Sequence, residues 1–191
     1  MAQPLVDPFL PLILPVLQEE GMGTLTDDPN DAGHVTIWGV TEAIARAAGF
    51  AGPMADMTQD QAVGIYRTIF WQQPHFDLVH AIIPTLAAYM LDIGINLAPA
   101  EAGMFLQRSL NVLNNAETLF ADLKVDGNCG AKTQAALKAY RVVRAAQDGD
   151  LVILGMVRAM AVLRYVELAE ANTNDERYEF GWLRARALSL A

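Results

Sequence analysis

Cys129 is the only cysteine in the 191 residues, so no intrachain disulfide can form and the fold has to hold by packing alone. Bases are nearly missing from the first part of the chain. Residues 1–80 contain ten Asp/Glu against Arg46 and Arg67 alone, whereas residues 81–191 contain twelve acids and eleven bases. A net charge of -9 supplies no counterion-release term for nucleic acid and is repelled by anionic headgroups, so neither DNA, RNA nor a membrane surface is expected as a partner. Long apolar runs are absent as well: the segment Leu151 to Leu163 is short and interrupted by Arg158, so no membrane insertion is expected. The apolar run Phe9 to Leu17 follows Asp7, has no basic flank and holds Pro11 and Pro15, which fits a secretory signal poorly; a cytoplasmic chain is the expectation. The three histidines, at 34, 75 and 80, and the distant Cys129 have no metal-ligand spacing, and no phosphate-binding glycine loop occurs. No metal and no cofactor are therefore expected.

Apolar residues are plentiful, at 53% against 18% charged, which is enough to offset the entropy of ordering the chain. Helical periodicity dominates after residue 41. Thr58-Gln-Asp-Gln61 has the spacing of a capping box and opens a helix expected to run through Trp71. Further helices are expected over 78–93, 99–115, 131–147, 150–171 and 175–189. The exception lies between Thr24 and Thr41, where Asp-Pro and Ala-Gly turn signals surround the β-favouring run Val35-Thr-Ile-Trp38; this stretch is expected to be a loop with a small hairpin. Leu97-Ala-Pro99 interrupts two helical patterns and marks a boundary, dividing the chain into 1–97 and 98–191.

Chemistry concentrates in Glu19-Glu20-Gly-Met, Asp28-Pro-Asn-Asp31-Ala-Gly-His34 and Val35-Thr36-Ile-Trp38-Gly39-Val-Thr41. This layout puts a carboxylate at a helix end, then an acidic loop, then a hairpin. A helix C-terminus and apolar surroundings both disfavour ionisation, which suits a carboxylic acid that must donate a proton near neutral pH. Asp28 and Asp31 also suit turns that bond their own backbone, and Thr36 also suits a plain strand position.

This segment resembles the opening of the family 108 glycoside hydrolases, the phage-type N-acetylmuramidases. Glu20, Gly21, Asp28, Pro29, Asp31, Gly33, Thr36, Gly39 and Thr41 match its pattern, while Met22, Ala32 and His34 depart from it. The resemblance continues through Ile65-Tyr-Arg67, Phe70-Trp71, Leu91-Asp92-Ile-Gly-Ile-Asn96, Phe105-Leu-Gln107-Arg108 and Val125-Asp126-Gly127, and ends near Gly181-Trp-Leu-Arg184. It implies a mainly α, lysozyme-like catalytic lobe with a small β-hairpin, packed against a C-terminal helical bundle. The implied activity is hydrolysis of the β-1,4 bond between N-acetylmuramic acid and N-acetylglucosamine in peptidoglycan glycan strands. Glu20 would be the general acid, with Asp31 and Thr36 as its catalytic partners. His34, Trp38, Thr41, Trp71, Asp92 and Asn96 are the candidates for substrate binding. Asp126-Gly-Asn-Cys-Gly130-Ala-Lys-Thr133, ahead of a helix, resembles a turn of peptidoglycan-binding modules. The implied role is a phage or prophage endolysin that reaches the wall through a separate pore. A lytic transglycosylase and a non-catalytic wall-binding or virion protein stay open as alternatives.

Overall fold

The computed structural model describes residues 7–19, 23–27, 35–172, 180–181 and 183–184. Helix dominates, and the chain forms two compact units that divide after Trp71. No described helix is long and apolar enough to cross a membrane.

The first unit opens with α1 (Leu10–Glu19). Phe9, Ile13 and Leu17 recur every four residues and are buried at 0–1% exposure, while Pro15 falls on the exposed side. One apolar stripe thus anchors the helix even though its interior proline can donate no backbone hydrogen bond. The start of α1 is fixed by charge. Asp7 accepts from the Phe9 amide at 3.1 Å and from both terminal nitrogens of Arg67, whose guanidinium lies 4.7 Å from the centre of the Phe9 ring. The hydrogen bonds from Arg67 are the main reason that the Asp7 carboxyl is held below its ordinary range.

Since the folded-state pKa of Asp7 is depressed, its contribution is present above the unfolded carboxylate range, near pH 4, and is lost as pH falls through the lower folded value. Asp7→Asn is expected to lower stability at pH 7 by about 1–2 kcal/mol and to flatten the acid limb of the stability curve below pH 4. Thermal melts of both proteins from pH 2 to 7 check this; parallel curves would refute it.

Three short strands follow, β1 (Thr26–Asp27), β2 (Val35–Ile37) and β3 (Val40–Thr41), paired antiparallel in that order. Next comes α2 (Glu42–Ala47), capped by the Thr41 hydroxyl, which accepts from the Ile44 amide. The capping box of α3 (Gln59–Tyr66) forms as its spacing predicts, with the Thr58 hydroxyl accepting from the Gln61 amide and the Gln61 side chain from the Thr58 amide. The helical path expected as far as Trp71 is present, but it widens to a π-helix over Arg67–Gln72.

The second unit contains α4 (Phe76–His80), α5 (Pro84–Asn96), α6 (Pro99–Leu113), α7 (Ala131–Arg144) and α8 (Gly149–Ala171). The single helix expected over 78–93 is in fact two. Pro84 opens α5 and holds Ile83 extended, at φ -136° and ψ 92°, so the chain breaks after His80. The break turns out the Ile82 carbonyl, which accepts from Arg141 at 2.6 Å; the same guanidinium pairs with Asp150 of α8. The helix expected over 131–147 is α7 with a 3-10 turn over Ala145–Gln147, and most of 175–189 lies outside the described residues.

Packing centres on α5, α6 and α8, whose contacts with one another bury Leu86, Met90, Leu106, Leu110, Ile153 and Val157. The boundary expected at residue 97 falls in the short turn between α5 and α6, which pack against each other inside this unit.

Candidate functional site

In the first unit the sheet organises the polar groups. Thr36 stands directly across from Thr26 on one side and Thr41 on the other, so the three threonines form one row. Directly opposed residues share a sheet face and neighbours alternate, so this row lies on the face opposite Ile37 and Val40, which are 4% and 2% exposed. One face of the hairpin therefore supplies core and the other presents hydroxyls. Thr41 caps α2, and the Thr26 hydroxyl donates to the Thr36 carbonyl at 3.5 Å.

Trp38 and Gly39 make the two-residue connection of the hairpin, both at positive φ (56° and 71°), the geometry that matches the twist of paired strands. Glycine suits this conformation; a tryptophan in it has to be held. The indole N–H donates to the Met57 carbonyl at 3.0 Å, and a Cβ at Gly23 would stand 2.5 Å from the ring. Trp38 thus clamps the hairpin to the segment before α3 and to the stretch after α1, and its indole is committed to that clamp.

Trp71, expected to line a sugar cleft, is 3% exposed and packs on Phe9 at 5.8 Å between ring centres. Its ring fills the core beneath α1 instead of offering a face to a pyranose. Tyr66 is likewise buried and stacks obliquely on Phe70. Asp92 and Asn96 share a face of α5 in the second unit, and the Asn96 side-chain amide donates to the Asp92 carbonyl at 2.8 Å, closing the last turn of its own helix. Glu20, Asp28, Asp31 and His34 lie outside the described residues. What is described on either side is the helix that leads into Glu20 and the strand that carries Thr36.

The second polar centre is the turn from Asp126 to Thr133. Gln107, on the buried side of α6 and 1% exposed, reaches into it with every polar atom of its side chain. Its oxygen accepts from the amides of Asp126 and Gly127, and its nitrogen donates to the Asp126 carboxylate, the Asn128 carbonyl and the Thr133 hydroxyl, all at 2.8–3.2 Å. The hydrogen bond from Gln107 is the first cause of a lowered Asp126 pKa, followed by the Asn128 amide. Gly127, at φ 79°, presses so closely on α6 that a Cβ on Gly103 would fall 2.0 Å from its carbonyl oxygen, so backbone meets backbone here. Cys129 is fully buried, and desolvation pushes its thiol up to about 12, with the Asp126 charge adding to the effect. It stays a protonated packing residue.

Sequence reasoning placed Gln107 in a motif without assigning it a role. The available signal was a glutamine on the apolar stripe of an otherwise amphipathic helix, because a buried amide must find partners. Outside this turn is a cavity of about 400 Å³ whose wall includes His75, Lys124, Asp126, Asn128, Lys132 and Thr133. Among the described residues no group of three His, Cys, Asp or Glu is arranged to hold a metal ion.

The threonine-bearing hairpin and the glycine-dependent turn fall within segments matched by two different family models. Residues 13–97 match the model described as Glycosyl hydrolase 108, and residues 101–187 match a Predicted Peptidoglycan domain. Through residues 13–97 the chain matches glycosyl hydrolase family 108. It is a glycoside hydrolase that acts on peptidoglycan, and it carries a peptidoglycan-binding domain. The solved structure of Brucella abortus SagA is similar to this hydrolase at 23% identity, with a TM-score of 0.57 over 95% of this chain and 97% of that one. At that identity the likeness establishes a shared fold. No curated protein matches the chain.

Proposed function

We propose that this peptidoglycan hydrolase is an N-acetylmuramidase that cleaves the β-1,4 bond between N-acetylmuramic acid and N-acetylglucosamine, with Glu20 as general acid. The observation that carries the reading is the family match across 13–97, with α1 ending at Glu19, directly before Glu20. Helical spacing supports Glu20 over its neighbour. In the sequence Glu20 stands three positions after Leu17, the spacing at which helical residues share a face, and Glu19 stands two after it.

In the mechanism the Glu20 carboxyl protonates the glycosidic oxygen as the bond to the anomeric carbon breaks. A water is held on the opposite sugar face by Thr36, from the hydroxyl-bearing side of the sheet, with Asp31 as its base. Room for that water requires the acid and base to stand about 6.5–9.5 Å apart and inverts the anomeric carbon. The site thus provides both the proton for the leaving group and the orientation of the nucleophile. We place the enzyme as an endolysin, released from the cytoplasm to the wall through a separate pore.

Mass spectrometry of muropeptides from digested sacculi tests the reaction. Hydrolysis yields products heavier by one water, with a reducing N-acetylmuramic acid end. Products ending in a 1,6-anhydro ring would make the enzyme a lytic transglycosylase. Intact glycan with protein bound to it would leave wall binding without catalysis.

A further inference from the structure

The cavity beside the Asp126–Thr133 turn has a wall chemistry of its own. At about 400 Å³ it is within the range that holds a small ligand. Two ammonium groups, Lys124 and Lys132, stand at its rim with one carboxylate, Asp126. Lys124 is 86% exposed and reaches Asp126 only at 3.8 Å, and Lys132 has no ion-pair partner among the described residues. Positive charge therefore exceeds negative charge around the opening. The carboxylate is fixed in place, since Asp126 accepts from the Gln107 side chain and from the Asn128 amide. The five hydrogen bonds of the Gln107 side chain make the floor rigid before anything binds.

A neutral sugar has little use for three full charges, and sugar sites rely on aromatic platforms. No Trp, Tyr or Phe lines this cavity. Peptidoglycan offers a second kind of ligand: its peptide stems carry free carboxylates and, where the third residue is a diamino acid, a free ammonium.

We propose that this cavity binds the peptide stem of peptidoglycan, with a stem carboxylate between Lys124 and Lys132 and the stem ammonium against the Asp126 carboxylate. The His75 ring and the Thr133 and Asn128 side chains complete the wall. Such contacts would let the second unit recognise cross-linkable stems while the first unit works on the glycan. The proposal rests on the assignment of the chain to peptidoglycan.

Calorimetry on the full chain tests it, with the synthetic tetrapeptide L-Ala–γ-D-Glu–meso-diaminopimelate–D-Ala as probe and chitotetraose as the peptide-free control. The tetrapeptide is expected to bind and to weaken with added salt. Lys124→Gln with Lys132→Gln should cost on the order of tenfold in affinity without changing the melting temperature, because both side chains are exposed. Acetylating the diaminopimelate amine should weaken binding by a similar factor. The proposal is overturned if the double variant binds the tetrapeptide as the parent does, or if chitotetraose binding is what the double variant loses. It is overturned too if the parent binds intact sacculi on ice but not the tetrapeptide, which leaves the wall assignment standing. Failure to bind or cleave sacculi at all would bring down that assignment itself.

Discussion

Replacing Glu20 with Gln should reduce lytic activity by on the order of 10²–10⁴ while Glu19→Gln stays within a few-fold of the parent. Glutamine keeps the shape of the side chain and its capacity to accept hydrogen bonds but has no proton to give to the departing sugar oxygen. A catalytic carboxyl is held for reactivity and not for stability, so the melting temperature of Glu20→Gln should hold or rise. Turbidity loss of outer-membrane-permeabilised cells reads the activity, and thermal melts read the fold. A reversed pattern, with Glu19 the sensitive position, would shift the helical register by one residue and move the acid. Unchanged lysis in both variants would remove general acid catalysis from this stretch altogether.

The largest stability effect is expected at Gln107→Leu. Leucine has nearly the same volume and suits the apolar face of α6, so packing is spared and only the polar contacts are lost. The amides of Asp126 and Gly127 would then have no acceptor, with Gly127 buried, and the Asn128 carbonyl and Thr133 hydroxyl would each lose a donor. The Thr133 hydroxyl still donates to the Asn128 carbonyl and Asp126 is exposed, so the stranded buried group is the Gly127 amide and the loss should be about 1–3 kcal/mol. Urea melts should show a lower midpoint with an unchanged slope. Asp126 should also titrate closer to an ordinary carboxylate, because the hydrogen bond from Gln107 is the first cause of its depression. A loss under 1 kcal/mol would mean that the turn holds its shape without the glutamine.

Several elements of this protein were legible because their determinants sit within a few residues. The Thr58–Gln61 box closes between neighbours three apart, and the Trp38-Gly39 connection turns on two backbone angles. The Asp126 turn announces its glycines. The break before α5 was legible too, since Pro84 imposes it on Ile83, but the apolar periodicity of 78–93 outweighed that single residue in the reading.

Other outcomes needed the folded chain. Tryptophan suits a core and a sugar platform equally well, so the sequence of Phe70-Trp71 is the same for both, and only the approach of Phe9 from across the unit places Trp71 inside. Asp92 and Asn96 have the spacing of a polar pair in a cleft; the helix instead uses the Asn96 amide to satisfy its own carbonyl.

By itself the sequence determined the mainly helical class, the hairpin, the family and the order of the chemical groups, because periodicity, turn residues and short-range caps act over a few positions of chain. Tertiary structure alone decided which side chains are spent on holding the fold. Gln107 meets partners 19 to 26 residues away and Arg67 meets Asp7 across 60, and nothing local in either segment names the other. A buried polar group is costly until a distant partner arrives, so its role is settled only when the chain closes.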